Sequence, residues 1–190
     1  MYYSEQLLMT SGKELEEEYL FTSSSTFTFP RRVKSCFVIC VGAGGGGGDW
    51  WYPNNVIVGG GGGGAGAYCS KTYGSELSGQ TVSYTIGAGG QGTSGLISSG
   101  TAGGNTTFNS QVARGGGGGS YNMYGGAGGT ASGGDINNTG NSGGSGGIMA
   151  YGAGATGWNV NGTVYGSGTN SGVVATGGSG CIYMKLVYKK

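Results

Sequence analysis

The chain has 190 residues, of which 50 are glycine and none is histidine, and its net charge is +1. With only two prolines it cannot form collagen, which needs abundant proline and glycine at every third position. The near-zero charge excludes a nucleic-acid binder that relies on arginines among glycines, and the lack of histidine excludes histidine-based catalysis and metal binding. Aromatic residues make up 11% of the chain. They favour an ordered fold over a flexible coil, because glycine-rich linkers lack large apolar anchors.

The N-terminal part of the chain differs from the rest in charge, because five of the eight acidic residues lie within the first 18 positions. We therefore predict an attachment segment at 1–20 and a glycine-rich domain at 21–190. The first 18 residues are compatible with a short helix that has Leu7, Leu8 and Leu15 on one side. Two interpretations stay open for this segment, a frayed terminus and a docking segment for a larger assembly.

The sequence predicts neither export nor membrane insertion. The start of the chain is acidic and lacks a basic region followed by an apolar stretch, so no secretory signal is expected. The longest apolar run, at 36–41, is far shorter than the ~20 residues that cross a bilayer.

The four cysteines are predicted to be buried thiols. Cys36 and Cys40 lie four residues apart on a predicted strand, so roughly 13 Å separates their Cα atoms, which is too far for a disulfide. No Cys-x-x-Cys pair occurs, which argues against a zinc site. We expect no cofactor and no metal.

In chain order, the predicted strands begin with two short ones around a serine-rich turn at 21–29 and a buried one at 34–41, where six apolar residues follow one another. Further strands are predicted at 65–73, 81–86, 106–113 and 181–188. The last is expected to close the domain against the first ones. The predicted fold class is all-β, with a small β framework drawn from both chain ends.

Glycine runs separate the predicted strands, at 44–48, 59–64, 87–92, 115–119, 125–129 and 143–147. Ordering glycine costs more backbone entropy than ordering any other residue. Polyproline II helices without side chains can pack closely enough to satisfy one another's backbone groups, since this helix has no internal hydrogen bonds. We therefore expect a packed bundle of glycine-rich polyproline II helices docked on the β framework.

A strand followed by Gly42, Gly44 and Gly47 matches the dinucleotide-binding pattern. The match is uninformative inside a glycine run, and the Trp-Trp-Tyr-Pro sequence that follows does not open the helix that this site requires. Nucleotide binding is not expected.

Three insertions interrupt the glycine runs with Trp, Tyr and Asn, a residue mix that resembles an antibody paratope. Rigid aromatic rings give contact area at low entropic cost, and amides give adaptable hydrogen bonds. We predict a binding site on these insertions, and capping of the bundle's ends by the same aromatics stays open. The candidate residues are Trp50, Trp51, Tyr52, Asn54, Asn55, Tyr121, Asn122, Tyr124, Tyr151, Trp158, Asn159 and Asn161.

Several motifs together resemble the glycine-rich domain of bacteriophage tail-fibre proteins and adhesins. They are FTSSSTFTFP at 21–30, the strand 36–41 running into VGAGGGGG, GGGGAGAY at 61–68, TVSYTIGAGG at 81–90 and GGSGCIYM at 177–184. The resemblance implies polyproline II glycine bundles and, at a fibre tip, loops between glycine motifs that contact the host receptor. All the candidate residues above except Tyr151 map to such loops.

The resulting expectation is a virion receptor-binding module that recognises a host surface glycan or outer-membrane protein without covalent chemistry. It would be present in several copies and mounted on other fibre or capsid proteins through residues 1–20. The alternative is a structural subunit of a head fibre, a decoration protein or a self-assembling filament. An enzymatic function is not favoured, because Asp49, Glu76 and Asp135 are too scattered to form a carboxylate pair.

Overall fold

The structure is a computed structural model that describes residues 14–50, 52, 54, 56–93, 97–150, 152–172 and 174–189. The fold is all-β, with a short 3-10 helix at Ser75–Leu77 and no α-helix among these residues. The strands are β1 Glu16–Phe21, β2 Ser25–Thr28, β3 Val33–Val41, β4 Tyr68–Tyr73, β5 Thr81–Thr85, β6 Thr106–Phe108, β7 Gln111–Ala113, β8 Ala131–Ser132, β9 Ile136–Asn138, β10 Trp158–Val160, β11 Thr163–Tyr165 and β12 Cys181–Tyr188.

The strands form three open antiparallel sheets. The first has the order β1-β12-β3-β4-β9, the second β2-β5-β6-β7-β8, and the third is the β10-β11 hairpin. The long strands β3 and β12 pair from Val41 opposite Cys181 to Val33 opposite Tyr188. The prediction that the last strand closes the domain against the first ones is therefore confirmed.

An apolar core lies between the first two sheets. It consists of alternate side chains from their facing sides, as expected for strands with one buried face. Phe108, Val38 and Met184 are fully buried there. Aromatic rings meet edge to face, with centroids 4.9 Å apart for Phe27 and Phe29. The hairpin β10-β11 covers the opposite face of the first sheet, where Val160 packs with Val41 and Cys181.

Two local predictions need correction. Residues 16–18 are not helical but form the start of β1, which pairs with β12 and crosses the expected boundary at residue 20. The predicted strand at 106–113 is a hairpin of β6 and β7 that turns at Asn109, a residue with φ of 49°. Residues 1–13 lie outside the described part of the chain.

The four cysteines are buried free thiols, as predicted. Burial raises the pKa of Cys36 and of Cys181 to about 12. Cys40 and Cys69 are directly opposite each other on β3 and β4. Their hydrogen bond raises the pKa of Cys40 and lowers that of Cys69.

Five glycine-rich connections leave the sheets, reverse and come back. They join β3 to β4, β5 to β6, β7 to β8, β9 to β10 and β11 to β12. In the first connection the two halves are antiparallel, because the N–H groups of residues 42, 45 and 48 donate to the carbonyl oxygens of residues 67, 64 and 61, each at 2.9 Å. We call these ten half-connections the glycine segments.

Hydrogen bonds between glycine segments recur every third residue. In the segment 42–49, the N–H groups of residues 42, 45 and 48 donate to one neighbouring segment, and those of residues 43, 46 and 49 donate to another. Residues 43, 46 and 49 thus donate to residues 104, 101 and 98, at 3.1, 2.9 and 2.8 Å. The carbonyl groups of residues 43 and 46 accept from Gly116 and Gly119 of a further segment, at 2.8 and 2.9 Å. One segment thus satisfies its backbone groups with several neighbours.

The glycine segments approach so closely that a side chain would not fit between them. A Cβ added at Gly62 would lie 2.1 Å from the carbonyl oxygen of Ala153, and one at Gly45 would lie 2.0 Å from that of Gly117. These glycines are needed because neighbouring backbones occupy the space that a side chain would take.

Candidate functional site

The glycine segments carry five loops to the end of the molecule away from the sheets. We call the described residues of these loops the distal loops; they fall within 49–58, 93–99, 120–124, 146–151 and 170–175. Backbone hydrogen bonds join them, such as Ile97 N to Trp50 O at 3.3 Å, Met149 N to Ile57 O at 3.0 Å and Gly146 N to Met123 O at 2.7 Å. Gly172 N donates to Gly48 O beside the first loop, at 2.9 Å. The five loops therefore form one continuous surface.

Exposed apolar side chains concentrate on this surface. Of 13 large hydrophobic residues that are exposed in the described part of the chain, nine belong to the distal loops. They are Tyr52, Val56, Ile57, Ile97, Met123, Tyr124, Ile148, Met149 and Val174. The exposure reaches 72% for Tyr124 and 80% for Met149. Single exposed apolar residues are ordinary, so it is their concentration on the distal loops that makes this surface the candidate site.

The backbone is strained where these side chains are displayed. Ile97, Met123 and Met149 have φ angles of 67°, 72° and 54°, in the left-handed region that side chains disfavour. Each lies in a different distal loop, and each is exposed. Strain of this kind persists only where the surroundings enforce it, and it is typical of binding sites.

The first distal loop holds five of the residues predicted from the sequence. The Asp49 carboxylate is buried and accepts the N–H of Trp50 at 2.7 Å, which fixes the start of the loop. The half-buried ring of Trp50 meets the exposed ring of Tyr52 edge to face, with centroids 6.3 Å apart. Asn54 is exposed, and Trp51 and Asn55 lie outside the described residues.

The third distal loop holds three more of the predicted residues. Tyr121 is half-buried, and its N–H donates to the Ser99 hydroxyl oxygen of the second loop at 3.4 Å. Asn122 is exposed beside it, and Tyr124 is the most exposed aromatic residue of the described chain. Tyr151, in the fourth loop, lies outside the described residues.

The remaining predicted residues, Trp158, Asn159 and Asn161, lie at the other end of the molecule. Trp158 is not in an irregular insertion but on strand β10, where its ring packs against Tyr68 with centroids 5.2 Å apart. Asn159 accepts the N–H of Gly162 at 2.9 Å, and Asn161 has a φ of 49°, so both shape the hairpin turn. The structure therefore does not bring this group together with the distal loops.

The Trp158 side chain continues a series of backbone hydrogen bonds. The carbonyl oxygens of Gly60 and Gly63 accept the N–H groups of Gly152 and Ala155, both at 3.0 Å. At the next position in the series, the carbonyl oxygen of Gly66 accepts the indole Nε1–H of Trp158 at 2.7 Å. The indole thus replaces a backbone donor where the glycine segment ends, which matches the capping alternative for this residue.

The acidic side chains of the described residues outside β1 are dispersed over the fold. The described residues contain no group of three or more Cys, Asp or Glu residues that could hold a metal ion. Asp135 accepts the N–H of Thr72 at 2.8 Å on the sheets, far along the chain from Asp49 in the distal loops. No helix among the described residues has the length and apolar character needed to cross a bilayer.

A comparison with known protein families identifies the family of this chain. A family model described as a glycine-rich domain matches residues 21–187. The chain belongs to this glycine-rich domain family. A search among curated proteins found no match.

In this glycine-rich domain, sequence reasoning missed the aliphatic part of the candidate site. Ile97, Ile148, Met149 and Val174 are among the most exposed apolar residues of the distal loops, but attention to aromatic and amide residues passed over them. A signal was present, because short apolar pairs such as Ile148-Met149 stand between two glycine runs and are too short to predict a buried strand.

Proposed function

We propose that this protein is a receptor-binding module of a phage virion, and that the distal loop surface contacts a glycan or an outer-membrane protein on the host cell. The observation that carries the proposal is the concentration of nine exposed hydrophobic residues on the distal loops. The interior between the glycine segments consists of backbone and small side chains such as those of Ala43 and Ala65, so recognition is assigned to the loops at their ends.

The glycine segments form the rigid support, and we propose that they are polyproline II helices packed as a bundle. Two observations support this conformation. Hydrogen-bond partners recur every third residue, and polyproline II has three residues per turn and no internal hydrogen bonds. The contacts that exclude a Cβ also fit helices packed without side chains between them. The expected result is a polyproline II signal in circular dichroism with a cooperative melt, and a structureless spectrum without a melt would contradict the bundle.

Binding on this surface needs no cofactor and no covalent chemistry. Tyr52 and Tyr124 can stack on the apolar face of a sugar or on an apolar loop of a membrane protein. Asn54 and Asn122 supply amide donors and acceptors beside them. Because each contact is weak, several copies on one virion, mounted through the N-terminal part of the chain on other fibre or capsid proteins, would act together by avidity.

Competition for host cells tests the proposal. Purified protein added to the cells before the phage is expected to block adsorption, and the double variant Tyr52→Ser, Tyr124→Ser is expected to lose this effect while melting like the parent chain. Val164→Ser is the matched control, because Val164 is 49% exposed but lies on β11 at the other end. Equal blocking by the parent chain and the double variant would overturn the assignment to the distal loops.

A structural subunit is the second candidate, favoured by one observation. Leu20 and Ile136 lie at the two ends of one row across the first sheet, on its edge strands β1 and β9, whereas Ile39 and Tyr183 in the middle of the row pack with the β10-β11 hairpin. Leu20 is 42% exposed and Ile136 is 54% exposed. Self-assembly at modest protein concentration, together with no binding to host cells, would support this function over receptor binding.

A further inference from the structure

Strand β1 is the edge of the first sheet, and only β12 pairs with it among the described residues. One contact shows which residues of β1 direct their backbone N–H and C=O groups toward β12. Leu15 O accepts the N–H of Tyr188, the residue directly opposite it, at 3.0 Å. Because these groups alternate sides along an antiparallel strand, Glu17, Tyr19 and Phe21 also face β12. The N–H and C=O groups of Glu16, Glu18 and Leu20 therefore point to the open edge.

A cleft of about 570 Å³ runs along this edge. Its lining includes the consecutive residues from Glu18 to Ser25, together with Tyr84, Tyr183 and Asn161. Successive side chains of a strand point to opposite faces, so a cleft lined by all of them lies against the strand's edge. Tyr183 and Tyr84 agree with this position, because Tyr183 is opposite Leu20 in the first sheet and Tyr84 belongs to the core on the other face.

The cleft has a defined chemical character. Leu20 is 42% exposed on one face of β1, and the buried Phe21 and Tyr84 rings meet on the other face with centroids 4.8 Å apart. Among the described residues that line the cleft, Glu18 alone is charged. Lys185 forms an ion pair with Glu16 at 2.6 Å. Burial, followed by the nearby Glu18 carboxylate, raises the pKa of Tyr183 to about 12.

We propose that the β1 edge and its cleft bind an extended strand of a partner protein, which adds to the first sheet and places a Lys or Arg opposite Glu18 and an apolar residue opposite Leu20. Strand addition uses free backbone groups for affinity and alternate side-chain positions for specificity, and this edge offers both. The site lies on the sheets and is separate from the distal loops.

Charge argues against a second copy of this chain as the occupant. Two β1 edges paired antiparallel through all of their outward groups would place Glu18 of one copy directly opposite Glu18 of the other. Like charges directly opposite each other destabilise a sheet. A basic partner strand has no such conflict.

Binding of a synthetic peptide to the full chain tests the proposal. The probe is acetyl-Val-Ile-Val-Lys-Thr-Lys-amide, with a control peptide that carries Glu in place of both Lys. We expect the Lys peptide to bind and to slow amide hydrogen exchange at Glu16, Glu18 and Leu20. The amides of Glu17, Tyr19 and Phe21 already bond β12, so they are expected to be protected before the peptide is added.

Three variants test whether the peptide binds at the β1 edge. Leu20→Pro removes an outward N–H that β12 does not use, and it is expected to weaken binding roughly tenfold or more, whereas Leu20→Val is the control that keeps it. Glu18→Lys is expected to reverse the preference between the two peptides. Circular dichroism melting shows whether each variant is folded, and the unmodified chain tests the proposal even if a variant is not.

Two results would overturn the proposal. One is binding of neither peptide, or binding that Leu20→Pro leaves unchanged in a folded variant. The other is protection of the Glu16, Glu18 and Leu20 amides in the free protein. A shorter chain that starts at residue 14 and a measurement of molecular mass would then show whether residues 1–13 or a second copy occupies the edge.

Discussion

The molecule has two interiors built in opposite ways. Between the first two sheets, large side chains such as those of Phe108 and Leu186 are fully buried and exclude water by their apolar surface. Between the glycine segments, carbonyl oxygens lie where a side chain would begin, and hydrogen bonds between backbones replace apolar contacts. The stability of the two interiors therefore responds in opposite ways to a change in side-chain volume. The first is damaged when side chains are removed, and the second when they are added.

The largest expected effect comes from adding one methyl group to the glycine segments. Gly62→Ala would place a Cβ 2.1 Å from the Ala153 carbonyl oxygen, and the contacting atom belongs to a backbone that is itself hydrogen-bonded. We expect destabilisation of about 4 kcal/mol or more, above the usual range for overpacking. Urea denaturation followed by circular dichroism measures it.

Gly147→Ala is the matched control for this change. Its φ is not in the left-handed region, and its added Cβ would meet nothing closer than the Ala150 Cβ at 3.9 Å. The free energy of unfolding is expected to change by less than about 0.5 kcal/mol. Similar losses in the two variants would mean that glycine is needed for chain flexibility, and the comparison of the two interiors would fail.

Trp158 lies where the two interiors meet, and its replacement is the next largest effect. Trp158→Phe keeps an aromatic ring beside Tyr68 but removes the indole N–H, which leaves Gly66 O without that donor. We expect a loss of about 2 kcal/mol, typical of an unsatisfied buried acceptor, with unchanged blocking of phage adsorption. A stable variant that fails to block adsorption would return Trp158 to the proposed receptor-binding site.

The sheets could be predicted from the sequence because their strands carry a local signal. The apolar run at 36–41 and the alternation at 181–188 lie within β3 and β12. The hairpin β10-β11 was missed because its strands have three residues each and are surrounded by glycine, so that too few positions show a period. Neighbouring glycine segments could not be paired, since glycine has no side chain to indicate its partner.

The candidate site was predictable only in part for a related reason. Trp50 and Trp158 occur in similar aromatic and amide-rich sequences, yet one lies in a distal loop and the other begins a strand at the opposite end. The difference depends on which way each connection runs. That direction is a property of the topology, so composition could not reveal it.

A smaller effect of opposite sign is expected in the distal loops. Met149 has a φ of 54° and is 80% exposed, so Met149→Gly would relieve backbone strain and lose little burial. We expect a gain of about 1 kcal/mol in the free energy of unfolding, together with weaker blocking of adsorption. The neighbour Ile148 has no left-handed φ, and Ile148→Gly is expected to lose stability by about 0.5 kcal/mol. A loss in both variants would show that the Met149 backbone is not strained.

Replacing Glu17 is expected to have the smallest effect on stability at neutral pH, and it tests the tyrosines that pack on the sheets. Burial, with the Glu17 carboxylate contributing, raises the pKa of Tyr19 to about 12 and also raises that of Tyr188, whose hydroxyl bonds the same carboxylate. Burial likewise raises the pKa of Tyr73 to about 12. Since the unfolded chain releases these protons near pH 10, the contribution of Tyr19 and Tyr73 to stability is complete below that pH and is lost as the pH rises through 12.

Glu17→Gln separates the effect of the carboxylate on the pKa values of Tyr19 and Tyr188 from the effect of burial. The variant is expected to melt like the parent chain at pH 7 and to release the protons of Tyr19 and Tyr188 at lower pH, as measured by ultraviolet absorbance of tyrosinate. Because the raised pKa values belong to side chains packed on the sheets, amide exchange at high pH is expected to rise in β1 and β12 before it rises at Gly45 or Gly64. Opening of the glycine segments first would mean that backbone hydrogen bonds are the weaker of the two interiors.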